Sequence, residues 1–196
     1  MKGRLGWQGL RQGEYTEEGP YLVSSEQFAE DRVQWEACNH VSQERFQMAP
    51  EIILREEDVL LMKDGAAMGK LAYIDRLLGQ ACLNSHLLLI RPNRAYCMPK
   101  FIYYALKTPH FNTYMIQERT GTTFFGITQA SMGEYQLSFP SIAEQQRIIE
   151  TLDKQTAKLD ALMEKVRKAI ERLEEYRTAL ISAAVTGQLD VRHVSP

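Results

Sequence analysis

The last quarter of the chain constrains everything before it. From Leu152 onward an apolar residue recurs at every seventh position, as Leu152, Leu159, Val166, Leu173 and Leu180. Ile148, Leu162, Ala169, Tyr176 and Ala183 take the complementary d positions, with Gln155 the one polar interruption. Directly after Pro140, the residues Ser141, Ile142, Ala143 and Glu144 form an S-x-x-E capping box, which gives the first-turn amides side-chain acceptors. Gly187 stands where a left-handed C-cap residue belongs. The spacing therefore predicts one helix over 141–186, roughly 65 Å long at 1.5 Å per residue, with a short tail over 187–196. Its apolar stripe is narrow and regular, a coiled-coil seam rather than a broad face for packing on one globule, so it calls for a partner helix. Ile149, Met163 and Ile170 at e positions widen it on one side, which points to more than one neighbour.

The remaining residues, 1–140, suffice for one proper hydrophobic core and hardly for two. The longest uncharged apolar runs are a few residues, such as HLLLI at 86–90, and no apolar segment follows Met1, Lys2, Gly3 and Arg4. Neither a membrane span nor a signal peptide is expected, and the location expected is cytoplasmic. Cys38, Cys82 and Cys97 are scattered and form no C-x-x-C pair, so they read as reduced thiols without a structural metal.

The net charge of -2 excludes a globally basic nucleic-acid binder. Charge is nevertheless segregated: residues 59–140 hold eight basic side chains against four acidic ones, so a nucleic-acid surface, if present, is local to that half. Along 141–186 the two signs alternate, with i,i+4 pairs such as Glu150 with Lys154 and Glu164 with Lys168, the dress of a solvated helix.

Within 1–140 the pattern is mixed α and β. DVLLMKDGAAMGKLAYID (58–75) reads as strand, glycine-containing connection, strand; it is one residue too short for a phosphate loop, and Leu71 stands where Ser or Thr should hold magnesium. A β-turn-β element with Lys63 and Lys70 flanking an exposed tip fits better. LNSHLLLIRPN (83–93) is a buried strand ending in a turn, GPYLVSSEQF and EIIL add short strands, and YQLSFP (135–140) is strand-like. Residues 97–121 read as two helices, with Pro99 and Pro109 in first turns, Thr108 as a cap and Gly121 as a terminator. Tyr103, Tyr104, Phe111 and Tyr114 resemble an aromatic platform, but their helical spacing places most of them in the core. Catalytic motifs are missing: there is no adenine-methyltransferase N-P-P-[FY] or D-P-P-[YF] loop, no F-x-G-x-G loop and no G-x-S-x-G elbow. His40, His86, His110 and His193 lack metal-ligand spacing.

Several phrases, taken in order, carry a resemblance: KGRLGWQGL, EYTEEGPYLVSSEQF, VLLMKDGAAMGKLAYID, LNSHLLLIRP, FPSIAEQQRIIETLD and ALISAAVTGQLDV. Together they resemble the target recognition domain and helical spacer of type I restriction-modification specificity subunits, over nearly the whole chain. The chain opens directly at MKGRLGW, before which members commonly place a short lead-in strand. The resemblance implies an α+β recognition domain followed by one long coiled-coil helix, without catalytic activity of its own. Members usually carry two such domains, whose helices pack antiparallel and set the distance between two DNA half-sites; one domain and one helix imply half of that arrangement. The implied partners are double-stranded DNA, modification subunits that use S-adenosylmethionine, restriction subunits that use ATP and magnesium, and a second copy or another specificity half.

The cations and short donors at turns and element ends are the candidate DNA contacts: Arg4 with Trp7 in a glycine-rich opening, Lys63, Lys70, Arg91, Arg94 and Lys100, and Thr122 and Thr123 in RTGTTFFGIT. Ile148, Leu152, Leu159, Leu162, Val166, Ala169, Leu173, Tyr176 and Leu180 are the candidate seam. A coiled-coil adaptor whose globule recognises a protein is the competing reading, favoured by the low overall basicity.

Overall fold

A computed structural model of the chain describes residues 2–3, 12–122 and 125–189. The described strands are β1 (Lys2–Gly3), β2 (Tyr15–Val23), β3 (Phe28–Ala29), β4 (Arg32–Val33), β5 (Asn39–Val41), β6 (Val59–Met62), β7 (Leu71–Tyr73), β8 (Ala81–Leu83) and β9 (Leu87–Ile90). The helices are α1 (Gln43–Gln47), α2 (Pro99–Leu106), α3 (Pro109–Glu118), α4 (Gln129–Gly133) and α5 (Ile142–Val185).

The runs VLLM and LLLI explain the architecture. Such uninterrupted apolar strands are stable only where both faces of a sheet are covered. They form β6 and β9, neighbours in a four-stranded antiparallel sheet of order β1-β9-β6-β7. Every residue of both strands is buried. On one face Leu60, Met62, Leu87 and Leu89 join a core with Leu22, Val23, Val41 and Ile52, beneath a second sheet of order β5-β2-β8. On the other face Val59, Leu61, Leu88 and Ile90 pack with Ile102, Leu106, Phe111 and Met115 from α2 and α3. A mixed α/β domain results from two apolar layers sharing one sheet.

In the second sheet, β2 pairs antiparallel with β5 through a register shift between Thr16 and Tyr21, and parallel with β8. β3 and β4 are joined through Glu30 and Asp31, both at positive φ (50° and 63°), the backbone of a two-residue hairpin turn. The Asp31 carboxylate is then in place to accept from the Tyr103 hydroxyl (3.0 Å) and to pair with Lys107. Pro99 and Pro109 begin α2 and α3, and Thr108 Oγ1 caps α3 by accepting from the Phe111 amide at 3.4 Å. Tyr103 and Phe111 are buried and Tyr104 and Tyr114 pack half-buried beside them.

Three local expectations fail. EIIL is no strand: Pro50, which lacks an amide donor, opens a 3-10 turn over Pro50–Ile52, and only Ile53 bridges a strand residue, Cys82. YQLSFP pairs with no strand and is held by rings, Tyr135 against Phe111 and Tyr114, and Phe139 against Phe101 at 6.4 Å. Helix α3 ends at Glu118, three residues before Gly121.

The chain divides into two compact units, one through Ile149 and one from Glu150 onward. The first two turns of α5 thus belong to the first unit. Their anchor is Gln145, fully buried, whose Oε1 accepts from the Met98 amide (2.8 Å) and whose Nε2 donates to the carbonyls of Tyr96 (3.0 Å) and Pro140 (2.8 Å). Ser141 Oγ caps the helix by accepting from the Glu144 amide. At the other end Gly187 (φ 73°) donates to Ala184 and Gln188 to Ala183, the paired bonds of a Schellman stop. Glu164 pairs with both Arg167 and Lys168 on the helix surface. None of the described helices is long and apolar enough to cross a membrane.

Candidate nucleic-acid interface

Three segments of the basic half meet at the end of the sheet where Met62 pairs with Leu87. They are the 63–70 connection, the turn before β9, and the loop from Arg119 to Ile127. Asp64 ties them together. Its carboxylate accepts from Lys63 Nζ (2.6 Å) and lies 2.6 Å from His86 Nδ1, while Asp64 itself bridges Gly126. The backbones lock as well: Gly65 donates to Phe125 O, Ile127 to Lys63 O, and Lys63 to His86 O, at 2.8, 2.8 and 3.0 Å. Gly126 is required at this crossing, because a Cβ there would stand 2.9 Å from Asp64 Cβ. Across the loop Thr120 and Gly126 exchange backbone bonds, and the Arg119 guanidinium lies 4.3 Å from the centre of the half-exposed Phe125 ring.

This geometry sorts the candidate residues. Lys70 and Thr122 are exposed at this end of the sheet or in its loop, and Lys63 is present but held by Asp64, with its side chain only 24% exposed. Lys70 also borders a cleft of about 400 Å³ shared with Asp31, Lys107, Thr108 and Asn112. Arg91, Arg94 and Lys100 lie instead toward the opposite end, where Val59 pairs with Ile90 and Tyr73. Arg91 grips the 1%-exposed Asp58 through Nε and Nη2, both at 2.7 Å, and also donates to Ile53 O, so its guanidinium serves an internal carboxylate. Arg94 pairs with Glu57, and Lys100 sits 5.9 Å from the Tyr73 ring centre. Arg4, Trp7 and Thr123 lie outside the described residues, as does His193.

Asp64, His86, Arg119 and Phe125 belong to the cationic end and are absent from the sequence-derived candidates. The K-D-G phrase marked the position of Asp64, but as a turn residue; its partners are 22 and 62 positions further on.

Along α5 the seam side chains from Leu159 onward are open: Leu159, Leu162, Val166, Leu173 and Tyr176 are 49–66% exposed, and Met163 and Ile170 beside them are equally bare. Ala169 and Leu180 are also exposed, while Ile148 and Leu152 are half-buried. The described residues contain no group of three or more His, Cys, Asp or Glu side chains that could hold a metal ion. The three thiols are buried and free, and burial pushes Cys38 up to about 12, with the Glu36 charge adding to it, and Cys97 up to about 11.

Residues 12–172 match the family described as the type I restriction modification DNA specificity domain. The chain belongs to that family. One relative of this specificity-domain chain is the StySPI specificity subunit of a type I restriction enzyme from Salmonella potsdam, 27% identical over 136 residues, 68% of this chain and 29% of that subunit. The chain therefore spans less than a third of that relative. Among solved structures, one from work on complex assembly and conformational transition of the type I R-M system superposes with a TM-score of 0.69 at 20% identity, over 90% of this chain and 41% of the other. The S subunit of a type I restriction-modification system from M. genitalium gives 0.51 at 21% identity, over 86% and 40%. Both share the fold, a mixed α/β domain with a long C-terminal helix.

Proposed function

We propose that this specificity domain reads one half of a bipartite DNA site and that α5 pairs with a second copy, antiparallel, to set the distance to the other half. The observation that carries the reading is the apolar stripe, bare from Leu159 onward, on a 44-residue helix in a chain of this family. A helix with such a stripe is stable against another helix and costly in water. In an antiparallel pair, matching a positions to d positions sets Leu152 against the partner's Tyr176, Leu159 against the partner's Ala169, and Val166 against the partner's Leu162. That register is centred almost at the middle of Ile142–Val185, so the whole seam is used.

In this reading Lys70, Thr122, Arg119 and Phe125 face the duplex, and Asp64 holds their loops in place. The chain carries out no chemistry. Methylation of adenine falls to modification subunits using S-adenosylmethionine, and cleavage to restriction subunits using ATP and magnesium. Identical domains related by a two-fold axis read identical half-sites, so the site is a gapped palindrome. The test is to express the chain with its modification subunit and map methylated adenines: a palindromic, gapped motif is expected, and a continuous or asymmetric motif overturns the pairing of identical halves.

A further inference from the structure

The same helix carries a second column. Its successive g positions are Thr151, Lys158, Lys165, Arg172 and Ala179, so three consecutive ones are cationic, about 10.5 Å apart at 1.5 Å per residue. All three are exposed, and they stand in no ion pair among the described residues. The acidic side chains of this stretch occupy b, c and f instead, and Glu164 draws Arg167 and Lys168 to itself at 3.2 and 3.3 Å. Alongside them the opposite edge of the seam, Thr156, Met163 and Ile170, is uncharged up to Arg177, the next e position. Over this stretch one edge is cationic and the other uncharged.

Reversing one helix against the other sets g edge against g edge. With the seam in register, Lys158 lies near the partner's Arg172, and Lys165 near the partner's Lys165. Six cations then line about 21 Å of one edge. Like charges so placed repel and weaken the pair unless a polyanion lies along them.

We infer that this edge binds the phosphates of the duplex segment between the two half-sites. The inference rests on the antiparallel pairing proposed above. A duplex read at both ends of such a pair runs along it and presents about one phosphate per 1.7 Å of axis, so roughly a dozen pass the edge. Flexible lysine and arginine heads hold phosphates without reading bases, which suits a segment whose sequence is not read.

The test uses the assembled methyltransferase and a duplex bearing its mapped site. Lys158→Gln, Lys165→Gln and Arg172→Gln together remove six cations per dimer. The expected result is at least a tenfold loss of affinity near 0.1 M salt and a log–log salt slope flatter by up to about five units, with the half-site sequences unchanged. Light scattering on the chain alone should show the triple variant dimeric at lower concentration than the unaltered chain, because repulsion is relieved. Lys158→Arg with Lys165→Arg should keep both slope and affinity. An unchanged slope in a dimeric triple variant overturns the inference, as does a triple variant that no longer co-purifies with the modification subunit, since the edge would then be a protein contact. A monomeric unaltered chain, measured before DNA is added, sinks the pairing itself and is distinguishable from both.

Discussion

Two lysines that look equivalent in sequence are given different work. Lys63 is committed to Asp64, whereas Lys70 is exposed beside a cleft. Lys70→Ala should therefore weaken DNA binding by the assembled complex on all sequences and flatten the salt slope by about one unit per domain, while Lys63→Ala should change the slope less. Equal effects from the two, or none from Lys70, would relegate the loop to scaffold. Arg91 is the opposite case, an expected DNA contact spent inside the fold. Arg91→Ala leaves Asp58 buried with only the Arg55 amide (2.6 Å) as a described donor, and urea titration should register a loss of about 3 kcal/mol. What the sequence could reveal at this scale was the type of residue and its turn. What it could not was the partner, because Asp58 meets Arg91 across 33 positions and Asp64 meets Gly126 across 62, and no periodicity spans such distances.

Elements were far more legible, because their signals are local. VLLM and LLLI announced buried strands, Thr108-Pro109 a helix start, and the heptads a rod. Among the elements misread, EIIL is overruled by one residue, Pro50, and YQLSFP is held by distant rings rather than by a neighbouring strand. The conspicuous EQQ phrase after the capping box also gains a reason at this scale: Gln145 spends its whole amide on three backbone groups at the root of α5. Gln145→Ala strands the Met98 amide and should cost about 2 kcal/mol, lowering the Tm by roughly 4–8 °C for a chain of this length, measurable by calorimetry. Further along the helix, replacing Leu159 and Val166 by Lys puts charge on two a positions and should give monomers in light scattering at tens of micromolar, with helix content otherwise kept in the first unit. A dimer that survives both changes does not use this seam.

At the scale of the assembly the helix is a length. Deleting one heptad, Val166 to Arg172, keeps every a and d residue in phase and shortens the rod by about 10.5 Å. B-DNA rises about 3.4 Å per base pair along each strand, so the gap should shrink by roughly three base pairs while both half-sites keep their sequences. The same loss turns one half-site about 100° relative to the other at about 10.5 base pairs per turn, so activity should fall as the faces move out of alignment. Long-read mapping of methylated adenines in the deletion strain reads both effects, and an active deletion variant that retains the original gap would show that α5 does not measure DNA.

The burial of Cys38, Cys82 and Cys97 makes this chain a clean substrate for labelling. Native thiols that are both inaccessible and held well above neutral in Cys38 and Cys97 stay silent toward maleimides and mild oxidants. Any thiol introduced on the exposed face of α5 becomes the sole reporter of its surroundings. A parallel pair brings each a residue against its own copy, so Leu173→Cys alone would then oxidise to a covalent dimer; an antiparallel pair keeps those sulfurs far apart and instead joins a Leu173→Cys chain to a Gln155→Cys chain.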